Sequence, residues 1–572
     1  MLKSFSDLKK NLKKDFGSFK TLKITLLGDT ATQFLSKAIK GIGYEEKWDL
    51  NICEADFNQI DRQIFDVTSD LYQFRPDIVI IFQSSHKLLG KYNKIKPEVR
   101  AAFASNELQA IQNAYNTLIS NLSAKVIFYN YTEIDDAIFG NFANKTESSF
   151  LFQLRKLNYE LMLFATKQSD FFICDLSSIQ NKNGKSLIFQ PSIYINTEMV
   201  LSIDVLPQVA EKTIKLINSL NGKFVKCVIL DLDNTTWGGI IGDDGIENIQ
   251  IGSLGIGKAF SEFQYWIKKL KNRGIIIAVC SKNTEAVARE PFEKHPDMIL
   301  KIDDISVFVA NWENKADNIR QIQHTLNIGF DSMVFLDDNP FERNLVRENI
   351  PDIIIPELPD DPADYLEYLY GLNLFETISF SKEDLERTKL YQIEAQRAIV
   401  QQKFTNEDDF LASLNMLSVV EKFNSFNTPR VAQLSQRSNQ FNLRTIRYTD
   451  LEIEQISKNQ NYYTFSFTLE DKFGDNGLIC VLILNHQNRE TLFIDTWFMS
   501  CRVLKRGMEN FVLNTIVNFA KDQGVKKIIG EYIPTSKNEM VKDHYLKLKF
   551  EEQDNLWILN LENFQTRKNY IK

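Results

Sequence analysis

Two carboxylates spaced two residues apart, Asp231 and Asp233, follow the apolar stretch Cys227-Val-Ile-Leu230. Residues two apart in an extended strand point the same way. In an open α/β sheet the carboxyl ends of the strands open onto the ligand crevice. Paired carboxylates there repel each other unless a cation sits between them, and a hard divalent ion with oxygen ligands, most simply Mg²⁺, is the natural occupant. Alone, Asp-x-Asp is equally a surface-turn pattern; three later segments give it weight. Ile275-Ile-Ile-Ala-Val279 leads into Cys280-Ser281-Lys282-Asn283, Trp312-Glu-Asn-Lys315 opens a helix, and Met333-Val-Phe-Leu336 ends in Asp337-Asp338-Asn339-Pro340. Together they supply a nucleophilic carboxylate, a neighbouring carboxylate, a hydroxyl, an amide, an ammonium and a further acidic pair. Phosphoryl transfer needs this set, because its transition state asks for positioning and positive charge more than for bond-making machinery.

In this order the motifs resemble those of the haloacid dehalogenase (HAD) superfamily of phosphatases. The resemblance implies that Asp231 attacks phosphorus and becomes an aspartyl phosphate. It implies that Asp233 protonates the leaving oxygen and then activates water. Ser281, Asn283 and Lys315 would hold the phosphoryl group, and Asp231, Asp233 and Asp337 would form the Mg²⁺ site, with Asp338 as an outer or alternative ligand. Thr236 departs from the first motif, where an apolar residue is usual; its side chain is expected to affect packing behind the loop. Trp237 either lines the site or fills the underside of the flap Trp237-Gly-Gly-Ile-Ile-Gly-Asp-Asp-Gly245.

The elements that must position these residues belong to a long chain. At 572 residues it exceeds one core and implies several domains. Hydrophobic content of 44% and charged content of 25% are those of a globular protein able to bury a sizeable core. A net charge of −8 argues against non-specific nucleic-acid binding. The six cysteines show neither paired nor metal-ligand spacing, and this usage fits a reducing cytoplasm. The N-terminal stretch to Phe16 is basic and amphipathic but has no signal-peptide core. It reads as a helix packed on its own domain, with a membrane-surface helix as the alternative. No apolar run approaches the ~20 residues that span a bilayer.

Strand and helix alternation through residues 1–205 implies a mostly parallel sheet with helices on both faces. Strands are expected at Thr21–Leu27, Asp77–Phe82, Lys125–Tyr129 and Phe171–Cys174, and helices around 104–123 and 147–167. Gly28-Asp29-Thr30 sits where an SGNH-type hydrolase carries its nucleophile loop, so this region resembles that flavodoxin-like fold. The late Asp-x-x-His pair of that family is missing, so the domain reads as a non-catalytic or degenerate relative, with independent esterase activity as the minority alternative. A helix within residues 206–222, ended by Asn221-Gly222, links it to a HAD-like unit at 223–371. There a helix bearing Phe260, Phe263, Ile267 and Leu270 stops near Gly274. No large cap is inserted, so the site is open to a large or protein-tethered substrate.

Residues 372–572 begin with helical sequence and continue with several antiparallel strands and then strand–helix–strand. This resembles the GNAT acyltransferase fold, in which a loop of the type Arg-x-x-Gly-x-Gly before a helix cradles coenzyme A pyrophosphate. The matching loop is Arg502-Val-Leu-Lys-Arg-Gly507, where Lys505 replaces the first glycine. Arg502, Lys505, Arg506 and Gly507 are expected to form a cationic pocket at the helix start, suited to a phosphopantetheine arm. Cys501 is the candidate acyl-enzyme thiol because the cations beside it favour the thiolate; a structural cysteine is the other reading. The motifs Asp231-Leu-Asp-Asn-Thr-Thr-Trp-Gly-Gly239, Asn311-Trp-Glu-Asn-Lys315, Phe335-Leu-Asp-Asp-Asn-Pro340, Asp471-Lys-Phe-Gly-Asp-Asn-Gly477 and Met499-Ser-Cys-Arg-Val-Leu-Lys-Arg-Gly507 resemble an FkbH-like protein over nearly the whole chain. The family implies that a glyceryl unit from 1,3-bisphosphoglycerate, a phosphorylated three-carbon acid, is loaded onto an acyl carrier protein of polyketide-type biosynthesis. Its phosphate is removed at the HAD centre. A HAD phosphatase for a small phosphorylated metabolite is the competing reading.

Overall fold

The computed structural model describes residues 3–380, 384, 387–401, 403–500, 503–535 and 537–572. It divides into two compact units, Met1–Asn218 and Ser219–Lys572. The first is built on five parallel strands, β1 (Lys20–Gly28), β2 (Trp48–Glu54), β3 (Ile78–Phe82), β4 (Lys125–Tyr129) and β5 (Phe171–Cys174), in the doubly wound order β2-β1-β3-β4-β5. The central strand β3, Ile-Val-Ile-Ile-Phe, is buried along its whole length, as a strand covered on both faces must be. Helices Phe103–Asn121 and Phe150–Ala165 stand where helical sequence is expected; Ser149 starts the second by accepting from Phe152 N. The linking helix runs Leu206–Leu220.

The second unit carries two sheets. Strands β6 (Cys227–Leu230), β7 (Ile276–Ser281), β8 (Val307–Ala310) and β9 (Met333–Leu336) form a parallel sheet of order β8-β7-β6-β9. Phe260, Phe263, Ile267 and Leu270 of helix Gly255–Asn272 are buried in the core shared with β6, β7 and β9. The expected flap exists as a pinned loop. Gly238 and Gln250 form an antiparallel bridge, and a short helix, Ile241–Asp244, lies between them.

The other sheet has strands β10 (Val420–Glu421), β11 (Tyr462–Asp471), β12 (Gly474–Asn488), β13 (Thr491–Met499), β14 (Lys527–Glu531), β15 (Glu551–Gln553) and β16 (Leu556–Asn560), ordered β10-β11-β12-β13-β14-β16-β15. All neighbours are antiparallel except β13 and β14, which pair in parallel only from Thr491–Lys527 to Phe493–Ile529. Beyond that point a notch opens beside β13, and residues 441–443 fill it. Asn442 bridges Phe498; Leu443 N donates to Trp497 O at 3.2 Å, Met499 N to Phe441 O at 3.0 Å and Ile533 N to Leu443 O at 2.9 Å. Asn538 Nδ2 completes the wedge by donating to Asn442 O at 2.9 Å. No helix among the described residues is long and apolar enough to cross a membrane.

Candidate active site

The chemistry-bearing residues of the parallel sheet in the second unit meet at the carboxyl ends of its strands. Four consecutive apolar residues bury β6 and deliver Asp231 just past its end; Asp231 N donates to Leu336 O of the adjacent β9 at 2.9 Å. The loop from β9 supplies Asp337 and Asp338. Lys315, first residue of helix Lys315–Leu326, is placed by its N-cap Asn314, whose side chain accepts from Ala316 N at 2.7 Å. Its ammonium is 3% exposed and lies 2.9 Å from Asp231 Oδ2 and 2.6 Å from Asp337 Oδ2. Ser281 closes the group as the buried last residue of β7, its carbonyl accepting from Asn311 N at 3.2 Å.

The electrostatics follow from burial and from an excess of negative charge. Burial first, and the Asp231 charge second, push Asp337 up to about 7 despite Lys315. Burial and Asp231 likewise raise Asp338, and burial raises Asp233. Burial pulls the Lys315 ammonium down, but Asp231 and Asp337 outweigh it and hold its pKa above the usual lysine range.

Three carboxylates, those of Asp231, Asp337 and Asp338, each place an oxygen within 4.8 Å of the others. Hard oxygen donors in this number fit a divalent cation of the Mg²⁺ class. Of the expected residues, Asp231 and Asp337 stand in this cluster together with Asp338, the alternative ligand of the sequence reading, while the Asp233 carboxylate turns elsewhere. The Asp233 side chain is taken up by nitrogen donors, with Oδ1 accepting from Trp237 Nε1 and Ile241 N, each at 3.0 Å, and Oδ2 from Asn283 Nδ2 at 2.9 Å. Asn283, expected at the phosphoryl group, is placed beside Asp233 by that bond. The two readings of Trp237 resolve into a third: the ring is wholly buried and its N–H reaches the site.

Two supporting residues, Thr235 and Arg343, were not expected, and Thr236, expected to affect packing behind the loop, hydrogen-bonds as well. Thr235 Oγ1 donates to Asp338 Oδ1 at 3.1 Å and accepts from Asp338 N at 2.9 Å. Thr236 Oγ1 donates to Asp231 O at 2.6 Å, so the polar residue at the departure position ties down the backbone of the nucleophile candidate. Arg343, buried, donates through Nη1 to the carbonyls of Asp337 at 2.8 Å and Asp338 at 2.6 Å, fixing the acidic loop from below. The threonines stand inside the first motif and were legible there; nothing in the spacing marks Arg343.

The cationic loop in the C-terminal part looks different from its expectation. Arg506 is buried in an ion-pair network with Glu394 and Asp471 (3.1 Å), and Arg397 pairs with the same two carboxylates, 2.8 Å from Asp471. Arg506 is thus corrected from a ligand-facing cation to a structural one. Lys505 is exposed at a positive φ of 63°, and Gly507, at φ 76°, is the N-cap of helix Met508–Asp522. Cys501 and Arg502 lie outside the described residues.

With this geometry in view, residues 23–218 match the family described as FkbH, N-terminal domain. The N-terminal part of the protein BF1531 from Bacteroides fragilis, solved with its phosphatase domain complexed with Mg, is 58% identical; the match covers 66% of this chain and 100% of that one, with a TM-score of 0.64. The chain belongs to the FkbH-like family, phosphatases of the HAD type. This FkbH-like enzyme has more distant likenesses too. Ribosomal-protein-S18-alanine N-acetyltransferase from Escherichia coli is 12% identical over 26% of this chain and 99% of that one, with a TM-score of 0.21. Spermidine N-acetyltransferase from Vibrio cholerae is 11% identical over 25% and 95%, also at 0.21. At that distance the likeness assigns no role to any residue of the FkbH-like chain. No curated protein sequence matches it.

Proposed function

We propose that the enzyme is a Mg²⁺-dependent phosphatase and phosphotransferase working at Asp231, coupled to the loading of a glyceryl unit from 1,3-bisphosphoglycerate onto an acyl carrier protein. The observation that carries the phosphatase reading is the Lys315 ammonium shared between Asp231 and Asp337, with Asp338 completing a carboxylate trio. The Mg²⁺ of the 58% identical relative supports the cation assignment. When bound by Asp231, Asp337 and Asp338, the ion would neutralise charge on the phosphoryl oxygens. Lys315 contributes positive charge at the same oxygens, and Ser281 offers a hydroxyl. Asp231 attacks phosphorus as the bond to the leaving oxygen breaks, and Asp233 gives that oxygen a proton. Water then attacks the aspartyl phosphate, passing its proton to Asp233, and phosphate departs.

For the acyl-transfer half, antiparallel strands followed by strand–helix–strand support a GNAT-like domain at 372–572, beyond the HAD-like unit at 223–371. Order β2-β1-β3-β4-β5, with Gly28-Asp29-Thr30 at the end of β1, supports a non-catalytic SGNH-like domain at 1–205. Cys501 remains the proposed acyl-accepting thiol, with Arg502 and Lys505 as the cations for the pantetheine arm. The free thiols among the described residues support a cytoplasmic setting. One observation favours a plain phosphatase for a small metabolite instead: Arg506 is consumed by Glu394 and Asp471, which leaves the arm-binding loop with fewer cations. Incubation with bisphosphoglycerate, Mg²⁺ and candidate carrier proteins, followed by intact mass measurement, separates the two. A carrier mass gain lost in Cys501→Ala supports acyl loading through that thiol. Phosphate release with no carrier gain supports the plain phosphatase.

A further inference from the structure

Asp233 is held unlike the other carboxylates of the pocket. Its three nitrogen donors come from different places: Trp237 from the loop after β6, Ile241 from the first turn of the flap helix, and Asn283 from the loop after β7. None of these donors is loose. Trp237 is wholly buried, edge-on to Phe292 with ring centroids 5.9 Å apart, and its backbone N donates to Leu232 O at 3.3 Å. Asn283 is 4% exposed. The flap that carries Ile241 is closed at its base by the Gly238–Gln250 bridge and braced within by Ile240 N donating to Asp244 Oδ2 at 2.7 Å. Donors on both oxygens fix the plane of the carboxyl group, because rotation about its terminal bond would break at least two hydrogen bonds at once. A carboxyl group that transfers a proton gains from this, since misorientation of the transferring oxygen slows the step.

We propose that Trp237 and Asn283 are positioning residues for Asp233, with the indole N–H and the amide holding its carboxyl group in the one orientation that delivers a proton to the oxygen leaving phosphorus. This rests on the phosphatase reading above. In that step the Asp231–phosphorus bond forms and the bond to the leaving oxygen breaks. The electron pair goes to that oxygen, which takes the Asp233 proton; the attacking water returns a proton to Asp233 in the second step.

Trp237→Phe keeps an aromatic ring in the core and removes the donor. Two substrates report on the proton: an alkyl ester, glycerol phosphate, whose alkoxide leaves only when protonated, and p-nitrophenyl phosphate, whose phenolate leaves unaided. General acid catalysis contributes about 10²–10⁴-fold, so kcat on the alkyl ester is expected to fall roughly 10–100-fold, at least about tenfold more than on the aryl ester, with KM changed by less than about twofold. Asn283→Ser is expected to give the same pattern and replaces Trp237→Phe if that variant does not fold. Equal losses on both esters, or no loss on either, overturn the positioning role, because a merely structural lesion does not sort substrates by leaving group. Wild-type enzyme and Asp231→Asn run alongside. Wild-type enzyme with Mg²⁺ that hydrolyses neither ester brings down the phosphatase reading, and this proposal with it; with an active wild type, the variants test Trp237 and Asn283 alone.

Discussion

Two buried clusters of charge lie in the second unit, and their balance differs. At the ends of β6 and β9, the carboxylates of Asp231, Asp337 and Asp338 face the single ammonium of Lys315. Beside helix Met508–Asp522, among the described residues, the guanidiniums of Arg397 and Arg506 face the carboxylates of Asp471 and Glu394, two against two. A buried charge without a counter-charge is costly, and the Asp337 carboxyl responds by shifting up to about 7. Among the described residues the ion-pair set carries no such excess. The lesson is that burial and charge type do not distinguish a site from a clamp, whereas local neutrality does. The unbalanced cluster is built for something that arrives with positive charge.

The comparison can be broken most severely at the nucleophile. Asp231→Asn is expected to lower phosphate release on the order of 10⁴-fold or more, as removal of a covalent nucleophile does elsewhere, while thermal melting is unchanged or raised because a like charge has gone. Retained turnover in a phosphate-release assay would exclude Asp231 from attack. In the balanced cluster the expected pattern is reversed. Arg506→Ala leaves Arg397 alone against Glu394 and Asp471 and should destabilise by about 3–5 kcal/mol in denaturant unfolding, with phosphatase kcat within about twofold. A stable Arg506→Ala variant would mean that the network contributes little. Next in size is the ion itself: at a Mg²⁺ concentration about 100 times its Kd, binding should stabilise the enzyme by about 2.7 kcal/mol. A chelator should reverse the gain, and Asp338→Asn should shrink it. An undiminished gain in Asp338→Asn would return the third ligand position to Asp233.

The smallest effect is expected at a carboxyl that has neither a metal cluster nor an ion-pair set around it. Asp29, at the end of β1, is raised to about 7 by burial, against two hydrogen bonds from Ser84 N to its oxygens at 3.0 and 2.9 Å. Its folded pKa lies above the unfolded value of 3.8, so its contribution to stability is complete below about pH 4 and lost as pH rises through about 7. Asp29→Asn should flatten the decline of melting temperature between pH 4 and about 7; an unchanged slope would show that Asp29 does not drive it.

Much of the site is legible in the sequence because its signals are local. β6 and β9 are apolar runs that stop at acidic residues, and Lys315 sits where a helix begins. The misses have physical causes. β2 escapes a reading by apolar runs because it is an edge strand paired only with β1, so Asp49 and Asn51 interrupt its apolar residues; alternate burial of Trp48 and Leu50 is the available signal. β8 spans only four residues, too few for a periodic signal. Spacing cannot say which of Asp233 and Asp338 turns toward the cluster, since that depends on Trp237, Asn283 and Thr235 as hydrogen-bond partners. Nor can Arg506 be read locally, because its partner Glu394 lies 112 residues away.

The wedge at 441–443 also sets an order of events. Among the described residues, its carbonyls at Asn442 and Leu443 find their donors in Asn538 and Ile533. During synthesis, therefore, the wedge stays half-bonded after β13 has been made, until the stretch beyond β14 emerges. Pairings over such separations form slowly. The seam beside β13 is where assembly of the C-terminal sheet must wait.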